Sequence, residues 1–208
     1  MSVLISLDGS SGTALNDAKV LLRNVEGGLE KAVMRSINRS LTSGKTALTK
    51  GIRKTYTVNR EALSDAISVT RASMSRLEGS VNAKGKPLSA RHFAHDPAGK
   101  DTTGSSRKTV RIAIKKGKTS ALKTGFIWDG GWGTEKHAIY LRSGGKVRAT
   151  KGRHAGKKYM VDKLKKMTGP SVPQMAGNEE VSEAVEKRVQ EIFERRLTHE
   201  TNRILKGK

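Results

Sequence analysis

The sequence predicts an α+β fold, with a long N-terminal helix and a C-terminal helix packed on a small, mostly antiparallel sheet that carries long basic loops. Three observations carry this. Apolar residues recur every three or four positions near both ends of the chain. In the middle the period drops to two, within short segments rich in β-branched residues. Between those segments lie stretches rich in Gly, Pro, Ser and charge, which read as loops. The 208 residues suit a single domain, 1–208.

From 13 to 54, Ala18, Leu22, Val25, Leu29, Val33, Ile37, Leu41, Leu48 and Ile52 form one continuous apolar stripe. Asn16 and Asp17 suit a helix start. Gly27, Gly28 and Gly44 are weak points, each costing roughly 1 kcal/mol relative to Ala. The stripe therefore belongs to one very long helix or to two helices broken near Gly27. A short helix follows at about 59–67, with Asn59 suited to its N-cap, and closes a helical part at about 13–67.

The sheet is expected at about 68–162. Its strand candidates are "ISVTRAS", "LEGSVNA", "TVRIAIKK" and "HAIYLRS". In the third, Val110, Ile112 and Ile114 point one way and Arg111 and Ala113 the other. The stretch "KGKPLSARHFAHDPAGKDTTGSSRK", 84–108, reads as a mobile insertion. A second basic loop, "SGGKVRATKGRHAGKK", is expected at 143–158. The end returns to helix at about 178–205, where Val181, Val185, Val189, Ile192, Leu197 and Ile204 share a face. Glu179 and Glu180 favour the dipole of its first turn. Glu183–Lys187 and Glu191–Arg195 are supportive pairs.

Lys+Arg 41 against Asp+Glu 19 gives a net charge of +22. That excess implies anionic partners: nucleic acid, a membrane surface or acidic protein. The C-terminal helix is nearly balanced, so the charge belongs to the rest of the chain. Aromatics are only 4 %, which leaves a thin core and leads us to expect an elongated shape or support from neighbouring subunits. Without cysteine there is no disulfide framework and no Cys-based zinc site. The opening "MSVLISLDGSSG" lacks the basic start of a signal peptide. Nothing approaches the ~20 apolar residues of a membrane span, so a soluble chain with no membrane partner is expected.

No motif points to catalysis. A phosphate-binding loop needs G-x-x-x-x-G-K-[ST]. Before Gly44-Lys45-Thr46 the first Gly position holds Arg39, and before Gly117-Lys118-Thr119 it holds Ile112. His92, His95 and Asp96 lack a further ligand nearby and read as part of a polar loop. Gly130, Gly131 and Gly133 around Trp132 sit in no βαβ unit, and no nucleophile elbow is present. No cofactor and no metal are expected. A sequence-independent nucleic-acid binder is the alternative, with basic loops on phosphates and Trp128, Trp132 and Tyr140 as stacking platforms. Against it, no helix-turn-helix, zinc finger or RNA-recognition signature appears. The same aromatics also read as core or subunit contacts.

Three segments, in order, resemble the minor tail protein Z family of long-tailed phages, whose members are tail completion proteins. They are "AVMRSINRSLTSGKTALTKGIRKTYTVNREAL", "TGFIWDGGWGTEKHAIYLRSGGK" and "GPSVPQMAGNEEVSEAVEKRVQEIFERRLTHETNRIL". Together they cover well over half the chain. The "GPSVPQM" step into the last helix is the most telling. The second segment also resembles neck and tail completion proteins more broadly. The insertion at 87–104 is not part of the pattern.

The resemblance implies a structural virion protein and not an enzyme. It would form a ring with copies of itself, six-fold by expectation, at the head-proximal end of the tail and support head–tail joining. Implied partners are the tail terminator, the tail tube and DNA in the lumen. Its implied place is the virion tail, and the host cytoplasm during assembly. Assembly contacts are then expected at Phe126, Ile127, Trp128, Trp132, Tyr140 and Arg142. Contacts to DNA or acidic protein are expected at Lys115, Lys116, Lys118, Arg148, Lys151, Arg153, Lys157 and Lys158.

Overall fold

The computed structural model describes residues 2–8, 13–97, 109–128, 138–148, 156 and 160–207. The chain is α+β and divides into two compact units. The first comprises Met1–Lys54, Arg60–Lys86 and Ser171–Lys208; the second comprises Thr55–Asn59 and Pro87–Pro170.

In the first unit β1 (Ser2–Asp8) leads to α1 (Thr13–Leu21) and α2 (Gly28–Thr55). Of the two forms expected for the stripe, two helices broken near Gly27 is the one observed. Gly27 sits at φ +62°, a left-handed conformation that costs a side-chain-bearing residue roughly 1–2 kcal/mol. Val25 falls in the connection and is exposed, so it leaves the stripe. Ala32, Val33, Ile37, Leu41, Leu48 and Ile52 are buried along α2. Ser36 and Ser40 are buried among them, and their hydroxyls donate to the carbonyls of Ala32 and Ser36 at 2.7 and 2.8 Å. Those local bonds satisfy hydroxyls that would otherwise be costly to bury.

The unit continues through α3 (Arg60–Ala66), β2 (Ile67–Thr70) and β3 (Glu78–Lys84). It ends with α4 (Val172–Ala176) and α5 (Glu179–Leu205). The "GPSVPQM" step is a capping box: Gln174 N–H donates to Ser171 Oγ at 3.3 Å, and Ser171 N–H donates to Gln174 Oε1 at 2.9 Å. Helices α2 and α5 run antiparallel. Gly28 faces Ile204, Arg35 pairs with Glu200, Gly44 faces Val189 and Gly51 faces Val181. Gly44 also faces Val81 of β3, so α2 lies against both α5 and the β1-β3-β2 sheet. Asn38 fixes the loop after β2 by pairing its amide with both backbone groups of Ala72, at 3.0 and 2.9 Å.

The second unit holds two further antiparallel sheets, β4-β5-β6 and β7-β8-β9. Their strands are β4 (Ala94–Asp96), β5 (Val110–Ala113), β6 (Ser120–Leu122), β7 (Gly125–Trp128), β8 (Ala138–Arg148) and β9 (Met160–Lys166). The strands thus form three small sheets where one was expected. Strand β1 was not foreseen, and with β2 it takes both edges of β3. Strands β4 and β6 take both edges of β5. No open edge of β3 or β5 is left to join the others.

Within the insertion expected to be mobile, residues 84–97 carry regular structure. A 3₁₀ turn, Ala90–His92, and β4 lie within it, and Ala90 and Phe93 are buried. Ala90 N–H donates to Met167 O at 3.0 Å, and Gly169 N–H to Leu88 O at 2.8 Å. Gly169 has no room for a side chain because the Phe93 ring occupies that space. One aromatic anchor and these backbone pairs hold the segment. Residues 98–108 lie outside the described residues. The basic loop expected from 143 is corrected, since β8 runs on to Arg148. Its bulge falls between Arg142 and Lys146, where Gly144 and Gly145 adopt φ +73° and +75°. Among the described residues no helix is long and apolar enough to cross a membrane.

Candidate interaction surfaces

Strand alternation sorts the β7-β8-β9 sheet into two faces. Ile127 pairs with Ile139, and both are buried. Phe126 pairs with Tyr140, and Trp128 with Ala138, on the opposite face. Arg142 stands opposite Leu164, Lys146 opposite Asp162 and Arg148 opposite Met160, so these continue the same face past the bulge. Trp128, Met160 and Leu164 are 44, 49 and 48 % exposed. These apolar side chains are half open to water on one face of the sheet, and such exposure suits a partner surface.

The centre of this face is linked by ring and charge contacts. The Phe126 and Tyr140 rings stack with centroids 6.1 Å apart. The Arg142 guanidinium lies 4.6 Å from the Phe126 centroid, and its Nε is 3.3 Å from Asp162 Oδ2. Phe126, Trp128, Tyr140 and Arg142 therefore stand together as the sequence suggested. Ile127 does not, and its expected role as a contact is corrected. It lies between two face residues, so alternation turns it into the core. Trp132 lies outside the described residues.

Lys115, Lys116 and Lys118 are exposed on the turn after β5, closed by Lys118 N–H donating to Lys115 O at 3.2 Å. Lys115 Nζ lies 5.8 Å from the Tyr56 ring centroid. Arg148 is exposed at the far end of β8. Lys151, Arg153, Lys157 and Lys158 lie outside the described residues.

The other motifs are placed as follows. Gly44-Lys45-Thr46 lies in mid-α2, where the backbone amides already serve the helix, and Gly44 is a close-packing residue. Gly117-Lys118-Thr119 is a turn with Gly117 at φ +76°. His95 Nδ1 bonds Phe93 O at 2.8 Å, which ties the imidazole to its own strand. Among the described residues no three His, Asp or Glu side chains gather.

A second surface, in the first unit, was missed by sequence reasoning. A groove of about 460 Å³ runs between α2 and α5, lined by Arg39, Thr42, Ser43, Thr46, Ala47, Lys50, Arg188, Ile192 and Arg196. Thr46 and Lys50 also line a hollow of about 210 Å³, with Thr49, Arg53 and Arg60. The signal was present: positions 39, 42, 46, 50 and 53 repeat every three or four residues beside the apolar stripe. What α5 adds opposite them is not local in sequence. Comparison of the chain with protein-family models, curated proteins and solved structures finds no match.

Proposed function

We propose that the chain is a structural, non-catalytic subunit of the tail-completion type, which closes into a ring with copies of itself at the head-proximal end of a phage tail. In that place it supports head–tail joining, meeting the tail terminator and tail tube in the virion after assembly in the host cytoplasm. The observation that supports this is the outer face of the β7-β8-β9 sheet. Trp128, Met160 and Leu164 offer apolar area that gains ~25 cal/mol per Å² when covered. Stacked Phe126 and Tyr140 under Arg142 lose little freedom on docking, and aromatic and Arg residues are enriched at the centres of interfaces. Lys146 and Arg148 extend the same face as a charged rim that selects acidic neighbours. In a ring, this face meets a different patch on the next copy, the head-to-tail arrangement that closes under rotation.

The test uses Trp128→Ala and Tyr140→Ala, each assayed for completed tails by complementation and for DNA affinity as purified protein. Both should give incomplete or headless particles with DNA affinity unchanged. A base-stacking role predicts the reverse, normal particles with roughly 1–3 kcal/mol of single-strand affinity lost per residue, and that result would end the tail-completion reading.

A further inference from the structure

The geometry points to the α2–α5 groove as a track for the sugar–phosphate backbone of a nucleic acid, bound without regard to sequence. Four cations line the groove, Arg39, Lys50, Arg188 and Arg196, and Arg53 and Arg60 continue it. No carboxylate lines either part. Arg188 is paired with Glu191 at 3.2 Å. The other five have no ion pair among the described residues. Unmatched like charges held side by side repel one another, and a bound anion relieves that repulsion.

The layout suits a linear polyanion better than a single small ion. From Arg39 to Arg53 the cations follow one side of α2 for about 21 Å, at 1.5 Å of rise per residue. Over that length a duplex presents a charge every ~1.7 Å of axis. Arginine dominates, and the guanidinium fork matches a phosphate with two parallel hydrogen bonds. Thr42, Thr46 and Thr49 already donate to the carbonyls of Asn38, Thr42 and Lys45, at 2.9, 3.2 and 2.9 Å. The cations are therefore the principal donors left for a ligand.

The lining also separates this partner from an acidic protein. Only Ala47 and Ile192 are apolar, and Ile192 is buried. A protein partner depends on apolar anchors at the centre of its interface, and the groove has none. It has no aromatic side chain on which an unpaired base could stack, which favours a duplex over a single strand. This surface lies in the first unit and does not depend on the assembly role of the β7-β8-β9 face.

The experiment measures binding of the purified full chain to a labelled 20-base-pair duplex across a salt series. A groove variant, Arg39→Gln/Lys50→Gln/Arg53→Gln/Arg196→Gln, is set against Lys19→Gln/Arg23→Gln/Arg71→Gln/Lys206→Gln, which removes the same charge at exposed positions outside the groove. The groove variant should flatten the log–log salt slope by about 3 to 4, near 0.9 per lost phosphate contact. The control should lose less than half of that. A charge-keeping variant, Arg39→Lys/Arg53→Lys/Arg196→Lys, should retain the slope. Should the groove variant fail to fold, Arg39→Gln and Arg53→Gln alone, both at exposed positions, should each flatten it by about 1. Equal losses in groove and control variants would reduce the groove to a share of net charge and overturn the proposal. Loss of polyglutamate binding with duplex binding intact would overturn it in favour of an acidic protein partner.

Discussion

Replacing Gly44 with Ala should destabilise the protein, although Ala is the better helix former by about 0.8–1.0 kcal/mol. A Cβ at position 44 would lie 2.7 Å from Val189 Cγ2 and 3.6 Å from Val81 Cγ2. Ordinary carbon contacts are about 3.5–4.0 Å, so the first of these is a clash. Val189 is buried and β-branched, with one strongly preferred rotamer in a helix. It cannot swing aside, and α5 itself would have to shift. Overpacking of this kind costs about 1–3 kcal/mol. Set against the propensity gain, the net loss is about 1 kcal/mol, or roughly 2–4 °C in Tm for a chain of this size. Gly51 offers a control: its Cβ would lie 3.2 Å from Val181 at a half-exposed position, so Gly51→Ala should be close to neutral. The assay is urea unfolding followed by helical circular dichroism for Gly44→Ala, Val189→Ala and the double variant. Val189→Ala removes the clashing methyl groups, so the two changes together should cost less than their sum, by about 1 kcal/mol. A Gly44→Ala protein that gains the full helix-propensity increment, or a cycle with no coupling, would refute close packing of α2 on α5.

Two further outcomes follow from buried groups. Thr201 is buried in α5 and its hydroxyl has no partner among the described residues, so Thr201→Val should raise stability by about 1 kcal/mol, read as a higher urea midpoint; a lower midpoint would mean the hydroxyl is satisfied. In the second unit the amides of Ala90 and Phe93 should be protected from hydrogen exchange, because both are bonded to carbonyls beneath a buried ring. Phe93→Ala should remove that protection and cost about 3–5 kcal/mol, whereas fast exchange in the unaltered chain would show the segment to be open.

The helices were legible because their period is sustained. The stripe of α2 and that of α5 each repeat over more than twenty residues, long enough for a 3.6-residue spacing to stand apart from chance. Short or charged strands carry no such record. Strand β9 reads "MVDKLKK" and is a strand because β8 pairs with it; β4 and β6 have three residues each. Phe93 shows why the insertion misled: one aromatic among Gly, Pro and charge leaves composition unchanged yet decides burial.

The two surfaces divide in the same way. Alternation alone places Phe126 and Trp128 on one side of a strand and Ile127 on the other, so the correction at Ile127 was available before any coordinates. The groove was not, because one wall of it comes from a helix some 150 residues later. Arg39, Lys50 and Arg53 on one exposed helix side are unremarkable for a chain of net charge +22. Against an antiparallel α5 they meet Arg188 and Arg196, and ordinary surface charge becomes a lined channel. The glycines set that distance. With Gly44 against Val189 the helices approach closely enough to place both sets of cations along one groove. Gly44→Ala should therefore weaken duplex binding as well as stability and flatten the salt slope, because helices held further apart make fewer phosphate contacts at once. A folded Gly44→Ala protein that binds duplex with unaltered affinity and slope would refute this dependence of the groove on helix spacing.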